Sequence, residues 1–305
     1  MKCLMLTDKR HWAYESIGKN LVKYNTDNSV ELSYTHIKGN VENIRKIYTK
    51  YDRVLVMGWQ NYKLVDFLPK KHTLIGIHGH HAWDNRKTQP DRDVTPPKEL
   101  VDFLNQFIRV NTVSRKLDRI FRKAGVEKLI YTANGVDSKL FIPRPSGNKE
   151  FTVGYSGSSA HDWRKGVTEF MKPAAKKAGV KLKVAMLATE HHITLEEMPA
   201  FYQALDGYLC ASSSEGFSLS VLEAASCGLP IVSTRVGGCE DLIDDKVNGF
   251  LVDRNVDAIA DRLRLLKDNV DRRKEIGEAM RKTIEDKYCW SKRTQDWIDF
   301  CKGEA

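Results

Sequence analysis

The chain has 305 residues, of which 41% are hydrophobic and 29% charged, and it carries a formal net charge of +9. This composition is typical of a folded globular protein and excludes a disordered chain. No apolar run approaches the roughly 20 residues needed to span a bilayer, and the start MKCLMLTDKRHW becomes charged too early for a secretory signal, so we expect a cytoplasmic protein.

The first half of the chain alternates short apolar runs with helical patterns. Residues 13–24 are predicted to be helical because Ile17, Leu21 and Val22 recur at helical spacing. The apolar runs before and after this helix have the length and composition of buried strands. The predicted strands are 2–8, 30–37, 53–58, 72–79, 107–114 and 129–137, and the predicted helices are 13–24, 41–48, 62–68, one after the polar loop 84–97, and 115–125.

The stretch FIPRPSGN (141–148) is the best linker in the sequence, because proline, glycine and serine concentrate there. Beyond it the alternation of strands and helices begins again. The predicted strands are 151–158, 180–187, 206–212 and 229–234, and the predicted helices are 166–178, 198–205, 219–227 and a long charged tail from 256 to about 302.

Continuous apolar strands separated by helices predict parallel sheets that are covered on both faces. The sequence therefore predicts an α/β fold of two doubly wound, Rossmann-like domains. Ligands bind at the carboxyl ends of the strands in such sheets, and we expect the natural site in a cleft where the two domains face each other.

Positive charge is concentrated in the first half of the chain. Residues 1–150 carry a formal charge of +11, whereas residues 151–305 carry −2. One interpretation is a solvated surface that keeps the protein soluble. The other is that this half meets an anionic partner, such as nucleic acid, a phosphorylated glycan or the lipid headgroups of the inner membrane surface.

The cysteines argue against a structural role for disulfides or zinc. All six are scattered along the chain with no CxxC pair. This spacing predicts reduced and mostly buried thiols.

The stretch SSSEGFSLSVLEAASCGLPIVSTRVGG (212–238) carries the strongest chemical signal. The preceding predicted strand ends in small polar residues, Gly216 permits a tight turn, and Ser218 is a good N-cap for the helix that follows. The backbone amides of residues 217–220 then lie at the positive end of a helix, where anions bind. The spacing therefore predicts a phosphate site at this loop.

Two glutamates lie on either side of this predicted phosphate site. Glu215 precedes the helix, and Glu223 lies about one turn inside it. A carboxylate accepts two hydrogen bonds from neighbouring hydroxyl groups, so the pair suits a sugar at one end and a ribose at the other. The alternative interpretation is that Glu215 is a capping partner and Glu223 a solvated helix residue.

The segment EGFSLSVLEAASCGLPIVS resembles the Glu-x7-Glu signature of the retaining GT-B glycosyltransferases of family four. The resemblance continues in NGVD (134–137), RKG (164–166), NGFLVD (248–253) and YCWSKRTQDWIDF (288–300). It implies a compact GT-B fold with an acceptor-side domain over 1–148 and a nucleotide-sugar-binding domain over 149–284. It also implies a C-terminal helix over 285–305 that packs back on the first domain.

The resemblance implies roles for the residues that match the family's motifs. Glu223 would bind the ribose hydroxyls of the donor, and Glu215 would bind hydroxyls of the transferred sugar. Lys165 would neutralise the diphosphate, because a fixed cation stabilises the charge that develops as the glycosidic bond breaks. The backbone amides that would assist Lys165 are those of Phe217, Ser218 and Leu219. The alternative for Lys165 is an exposed basic residue beside Arg164.

His78 at the end of a predicted strand is similar to the family's histidine at the edge of the donor sugar. Its imidazole would hydrogen-bond a hydroxyl or stabilise charge near the anomeric carbon. A metal site from His80, His81 and Asp84 is conceivable. Because the family generally needs no cation, we expect neither a metal nor another cofactor.

The second domain departs from the family pattern after its first strand, where many members have a Gly-Arg pair. Here the segment reads VGYSGSSAHDWRKG (153–166). Either Arg164 replaces that arginine spatially, or the phosphate relies on Lys165 and on backbone amides. The amides in question are those of Gly157, Ser158 and Ser159. Base recognition is expected from the backbone of residues 187–190.

The first domain departs from the pattern as well, because TDKRHWAY (7–14) stands where the family has a glycine-rich loop. Lys9, Arg10 and Trp12 could contact the acceptor, with the indole stacking on a sugar or base. Alternatively, this is a surface loop with Trp12 packed on the sheet. Ser114 and Asn134 resemble residues that line the family's cleft, or else cap a helix and shape a turn.

The leading hypothesis is a retaining glycosyltransferase that moves a sugar from a UDP- or GDP-linked donor to a hydroxyl of an acceptor held by the basic half. Three alternatives remain open. The acceptor could be a modified base of nucleic acid, given the charge of +11 and the basic helix 115–125. The protein could be a nucleotide-sugar epimerase, or a non-catalytic nucleotide-sugar binder, given the missing arginine and the altered first loop.

Overall fold

The computed structural model describes residues 1–79, 94–158, 162–187, 193–194 and 196–303. Within them, the chain divides into two compact units. Unit 1 comprises the described residues of 1–135 and the C-terminal segment from residue 290, and unit 2 comprises those of 136–289. No helix in this part of the chain combines the length and the apolar character needed to cross a membrane.

Unit 1 is built on a parallel sheet, as the continuous apolar runs predicted. Its described strands are β1 (Lys2–Thr7), β2 (Glu31–His36), β3 (Arg53–Val56), β4 (Thr73–Ile77), β5 (Arg109–Thr112) and β6 (Leu129–Tyr131). Their order in the sheet is β2-β1-β3-β4-β5-β6, and every pair is parallel. The inner strands are buried on both faces, which explains their continuous hydrophobicity.

Unit 2 contains a second parallel sheet. Its described strands are β7 (Thr152–Ser158), β8 (Lys181–Leu187), β9 (Gly207–Cys210), β10 (Ile231–Thr234) and β11 (Gly249–Val252). Their order is β11-β10-β9-β7-β8. The sequence did not predict β11, whose residues GFLV were noticed only as part of a motif.

Helices cover both sheets. They are α1 (Ala13–Tyr24), α2 (Val41–Ile47), α3 (Lys98–Leu104), α4 (Arg115–Lys123), α5 (Asp162–Lys165), α6 (Lys172–Ala178), α7 (Met198–Gln203), α8 (Leu219–Ser226), α9 (Cys239–Leu242), α10 (Val256–Asp268), α11 (Val270–Thr283) and α12 (Trp290–Lys302). The predicted bounds of α1 are correct, because Ile17 and Leu21 form its buried stripe. The predicted helix 62–68 is instead a 3-10 helix over Trp59–Leu64, closed by bonds such as Val65 N to Tyr62 O (2.9 Å).

The helix predicted over 166–178 is interrupted. α5 ends at Lys165, Gly166 has a left-handed backbone (φ +74°), and a π-helical turn over Val167–Met171 leads into α6. A side chain at Gly166 would lie 2.7 Å from the carbonyl oxygen of Ala211, so this position requires glycine. Arg164 and Lys165 therefore lie on α5, which is separate from α6.

The long helical tail predicted from 256 to about 302 is wrong as a single helix. α10, α11 and α12 are separate, because Asn269 is extended and its side chain caps α11 by accepting from Arg272 N (2.9 Å). A π-helical turn over Ile284–Tyr288 ends α11, and the extended Cys289 then precedes α12.

The C-terminal helix α12 belongs to unit 1. Trp297 Nε1 donates to Ala133 O (2.9 Å), and Lys302 Nζ pairs with Asp27 (2.6 Å). Residues 136–148 lie in unit 2, whereas the sequence predicted a boundary at 148. The reason is that Arg281 of α11 donates to Phe141 O (2.8 Å) and Ser138 O (3.0 Å), which fastens this segment to unit 2.

The six cysteines are free thiols, and their predicted burial is confirmed. Two of them, Cys3 on β1 and Cys301 on α12, lie with their sulfur atoms 3.5 Å apart in the core of unit 1.

Candidate functional site

The candidate site of unit 2 lies where the order of strands in its sheet reverses. β7 stands between β8 and β9, so the chain leaves β7 towards one side of the sheet and returns on the other. In doubly wound sheets, ligands bind at the carboxyl ends of the strands at this point. β7 ends at Ser158, and β9 ends at Cys210, directly before the loop 211–218.

Two arginines hold this loop in place. Arg164 is 7% exposed, its Nη1 donates to Ser214 O (3.0 Å), and its carbonyl oxygen accepts from Ser213 N (2.8 Å). Arg254 Nε donates to Ala211 O (2.9 Å). The guanidinium of Arg164 therefore binds the protein's own loop. Local patterns could not single out Arg254, because the carbonyl groups to which it donates lie 43 and 91 residues away along the chain.

Lys165, the last residue of α5, forms an ion pair with Glu215 of the loop 211–218. Lys165 Nζ contacts Glu215 Oε1, and Ser212 Oγ donates to the same oxygen (2.7 Å). Glu215 is 8% exposed. Burial alone would raise the pKa of Glu215, but the charges of Lys165 and Arg164 and the hydrogen bonds outweigh it and lower the pKa to about 2. Glu215 is therefore an ionised hydrogen-bond acceptor at neutral pH.

Glu223 lies on α8 in a very different setting. Tyr202 Oη donates to Glu223 Oε2 (2.7 Å) and is itself within 2.8 Å of Ser156 Oγ. Burial raises the pKa of Glu223 to about 7, and the hydrogen bond from Tyr202 only partly opposes this shift. The interpretation of Glu223 as a solvated helix residue is therefore wrong. Tyr202, a residue the sequence did not indicate, positions its carboxylate.

This shift predicts a pH-dependent stability. The pKa of Glu223 rises from 4.5 to about 7 on folding, so the fold favours the protonated form. The stabilisation is complete below pH 4.5 and is lost as the pH rises through 7. Glu223→Gln has no proton to lose, so we expect it to match the wild type at pH 4.5 and to be more stable at pH 8, by up to about 3 kcal/mol.

The measurement is urea denaturation of both proteins across this pH range. Glu278→Gln is the control, since the side chain of Glu278 is 68% exposed. A difference between wild type and Glu223→Gln that does not change with pH would contradict the shift.

The loop leads into the amino end of α8. Ser218 occupies the N-cap position, but the prediction that its side chain caps the helix is wrong, because its hydroxyl is bonded to Ser220 Oγ (2.9 Å). Phe217 is buried, with its ring centroid 5.4 Å from that of Tyr288. Leu219 begins the first turn, whose amides have no acceptor within the helix. This end of α8 can therefore still receive an anion.

The carboxyl end of β7 supplies the other side of the site. Ser158 is the last residue of the strand, and a side chain at Gly157 would overlap the hydroxyl of Tyr155. Tyr155 Oη is buried and has no hydrogen-bond partner among the residues described. Burial, followed by the charges of Tyr208 and Glu215, raises the pKa of Tyr155. Ser159, predicted to assist here, and residues 188–190, predicted to recognise the base, lie outside the described residues.

In unit 1, His78 directly follows β4. Its ring centroid lies 4.8 Å from that of Tyr14, in an edge-to-face arrangement, and 6.1 Å from that of Trp297. Burial lowers the pKa of His78 to about 3, so the imidazole is neutral. Its Nε2 is buried with no hydrogen-bond partner in the described part of the chain.

Other buried polar atoms of unit 1 share this lack of a partner. In the described residues they include Asp8 Oδ1, Trp59 Nε1 and Asn111 Oδ1. Asp8 directly follows β1, Trp59 lies three residues after the end of β3, and Asn111 is the third of the four residues of β5. All three therefore lie towards the carboxyl edge of the sheet. Buried polar atoms normally have partners, so these acceptors and this donor mark the carboxyl edge of the sheet as a candidate place for a polar ligand. Spacing along the chain could not reveal it.

The structure describes three further residues of unit 1 that the sequence singled out. Ser114 accepts from Leu117 N (3.3 Å) and so caps α4, as the alternative for this residue proposed. Asn134 is buried. Trp12 is 37% exposed, and Lys9 Nζ lies 3.5 Å from the centroid of its ring. A contact of Lys9, Arg10 or Trp12 with an acceptor stays a prediction.

The conceivable metal site of His80, His81 and Asp84 lies outside the described residues. Within them, no group of three or more His, Cys, Asp or Glu side chains is placed to hold a metal ion.

Residues 156–283 match the family model of the glycosyl transferases group 1. The chain is 34% identical over 113 residues to the D-inositol 3-phosphate glycosyltransferase of Salinispora tropica, a match that covers 37% of this chain and 23% of that protein. It is 33% identical over 143 residues to the trehalose synthase of Thermococcus litoralis, covering 47% and 34% of the two chains. The matches thus span about a quarter to a third of these relatives.

Solved structures are similar over almost the whole chain. Sucrose-phosphate synthase from Thermosynechococcus elongatus matches with a TM-score of 0.76 and 16% identity, covering 99% of this chain and 98% of that one. Anabaena HepE in complex with UDP and glucose matches with a TM-score of 0.75 and 15% identity, covering 99% and 100%. The predicted fold class, two Rossmann-like α/β domains as in GT-B glycosyltransferases, is confirmed.

Proposed function

We propose that this protein is a retaining glycosyltransferase, which transfers a sugar from a UDP- or GDP-linked donor to a hydroxyl group of an acceptor. The observation that carries the proposal is the buried Lys165–Glu215 pair beside the amino end of α8, with Glu223 farther along the same helix. These residues lie within the segment that matches the glycosyl transferases group 1 model.

In this proposal each group meets a different part of the donor. Glu223 accepts hydrogen bonds from the ribose hydroxyls, and Glu215 accepts them from hydroxyls of the sugar. The diphosphate lies between them, bound by Lys165 and by the amides of Phe217, Ser218 and Leu219. Arg164 acts by holding the loop and by keeping Glu215 ionised, and Gly157 and Ser158 offer backbone to the phosphates.

The reaction follows from these positions. The acceptor oxygen attacks the anomeric carbon from the face on which the bond to the diphosphate breaks, so the configuration is retained. The acceptor proton passes to the departing phosphate oxygen, and Lys165 stabilises the negative charge that the diphosphate gains. Because Lys165 and the helix amides supply this stabilisation, we propose that no metal ion is required.

The unpartnered polar atoms of unit 1 support an acceptor rich in hydroxyl groups over a nucleic acid. Asp8 and Asn111 offer oxygens that accept hydrogen bonds, and Trp59 offers a donor. The neutral imidazole of His78 can accept from or donate to a hydroxyl. None of these groups is a cation that would select a phosphate backbone.

A panel of nucleotide sugars tests the function. UDP-glucose comes first, because it is bound in a solved complex of HepE. We expect release of the nucleoside diphosphate that depends on an acceptor polyol, and a product with the donor's anomeric configuration by NMR. At pH 8, where Glu223 is ionised, Glu223→Gln should weaken donor binding by roughly a hundredfold, through the loss of two charge-assisted hydrogen bonds.

Glu278→Gln is the matched control for donor binding, and it should bind like the wild type. An inverted product would disprove the retaining mechanism. Equal donor affinity in Glu223→Gln and the wild type would disprove the role of Glu223.

A further inference from the structure

A wide, open surface cavity of about 800 Å³ lies at the amino edge of the sheet of unit 1. It is lined by the segments that enter three neighbouring strands: 69–72 before β4, 105–108 before β5, and Lys128 before β6. His78 follows the other end of β4, which is five residues long. At a rise of about 3.3 Å per residue, roughly 16 Å separates the two edges, so the cavity is distinct from His78 and from the unpartnered polar atoms at the carboxyl edge.

Lys70 is held in a fixed position at this cavity. Its Nζ donates to Gln106 Oε1 (2.7 Å) and lies 5.0 Å from the ring centroid of Phe103 and 5.9 Å from that of Phe107. Cation–π contacts of this length restrain an ammonium group without neutralising it. Lys70 therefore presents a full positive charge whose location is already determined.

The other basic side chains at the cavity are also uncompensated. Lys128 Nζ lies 3.5 Å from Phe107 O, and Lys71 and His72 are exposed. In the described part of the chain, no carboxylate lies within ion-pair distance of Lys70, Lys71 or Lys128. The nearby carboxylate of Asp102 is taken by Lys98 (2.6 Å).

The chemistry of this cavity selects an anion with several oxygens. A phosphate group carries up to two charges and enough acceptor oxygens to bind several ammonium groups at once, whereas a carboxylate carries one charge. Ile108, which is partly exposed, adds an apolar surface that would contact the organic part of such a ligand. Lys70, Lys71 and Lys128 at this cavity are part of the excess positive charge of residues 1–150.

We propose that this cavity binds the phosphate group of a phosphorylated ligand. The group belongs either to a free phosphorylated compound or to the headgroup of an anionic lipid. The inference does not depend on the proposed glycosyl transfer, because none of the residues assigned to that reaction lines the cavity.

The test is a titration of the full chain with inorganic pyrophosphate at low salt. Lys71→Gln/Lys128→Gln removes two exposed charges from the cavity, and Lys46→Gln/Lys50→Gln removes two exposed charges elsewhere in unit 1. We expect the cavity variant to weaken one class of site at least about tenfold, through the lost charge-assisted bonds. The control variant should change it less than about twofold, as expected for screened surface charges.

Pyrophosphate is also expected at the start of α8 in unit 2, and Lys165→Gln identifies that second class of site. If only Lys165→Gln removes binding, this inference is wrong and the proposed function stands. If only the cavity variant removes it, the inference stands and the role of Lys165 is wrong. Equal weakening by the cavity and control variants would show a general charge effect and would overturn the inference.

Vesicles separate the two sources of the phosphate group. Sedimentation with phosphatidylcholine–phosphatidylglycerol vesicles, but not with pure phosphatidylcholine, that is lost in the cavity variant would identify a lipid headgroup. Pyrophosphate binding without sedimentation would identify a free phosphorylated compound. Salt-sensitive binding to DNA that depends on Lys71 and Lys128, with no pyrophosphate site in unit 1, would overturn the proposal in favour of a nucleic acid.

Discussion

Lys165→Gln is expected to slow sugar transfer by about 10²–10³-fold, with its main effect on kcat. The ammonium group of Lys165 is the cation proposed to stabilise the leaving diphosphate, and it is nearly buried, with a side chain 14% exposed. A charge that acts in a site poor in water contributes far more than one at the surface. The measurement is the turnover of donor at saturating acceptor.

The same substitution should reduce stability, because it leaves the carboxylate of Glu215 buried without its partner. Breaking a buried ion pair from one side costs about 3–5 kcal/mol. The pKa of Glu215, now about 2, should rise when the charge of Lys165 is removed. Turnover is therefore measured well below the melting temperature, on protein shown to be folded by circular dichroism.

Two controls separate catalysis from folding. Lys172→Gln removes an exposed charge at the start of α6 and should retain wild-type turnover. The double variant Lys165→Gln/Glu215→Gln removes both members of the pair and should recover part of the lost stability but none of the turnover. Normal turnover in folded Lys165→Gln would refute its catalytic role.

Gly237→Ala is expected to lower the free energy of unfolding by about 3 kcal/mol or more. Gly237 has a left-handed backbone (φ +42°), and a methyl group there would overlap the carbonyl oxygens of Gly216 and Glu215. These are backbone atoms that cannot move aside as a side chain would. Because the overlap falls on the loop that carries Glu215, donor binding should be lost as well.

Gly147→Ala is the matched control for this substitution. Gly147 also has a positive φ (+67°), but nothing lies within 4 Å of the added methyl group. Only the cost of the left-handed backbone remains, which is about 1 kcal/mol. Urea denaturation measures both variants. If Gly237→Ala lowered the free energy of unfolding no more than Gly147→Ala, the loop of Glu215 and Gly216 could move away from residue 237 at no cost, which would contradict this prediction.

Local patterns were sufficient to predict most of the secondary structure. Apolar runs indicated the strands of both sheets except β11, and the stripe of Ile17 and Leu21 located α1. Predictions were wrong where one residue interrupts a pattern. Asn269 caps a new helix inside an otherwise helical tail, and Gly166 breaks a helix whose composition remains helical on either side.

The candidate site was predicted only as a set of positions. The motif around Glu215 and Glu223 indicated the loop and the helix, because glycine, serine and acidic residues recur there at short spacing. The partners were not predictable: Lys165 is 50 residues from Glu215, and Tyr202 is 21 residues from Glu223. Contacts over such separations depend on the order of strands in the sheet, which no local spacing reveals.

The sequence by itself thus determined the fold class, the strands other than β11, and the loop that precedes α8. Only the tertiary structure decided that Glu215 is ionised with Lys165 while burial raises the pKa of Glu223 to about 7. It also decided that Arg164 faces the protein interior and that the basic cavity forms around Lys70. The physical reason is that charge states and cavities arise from burial and from partners that meet only when distant segments pack together.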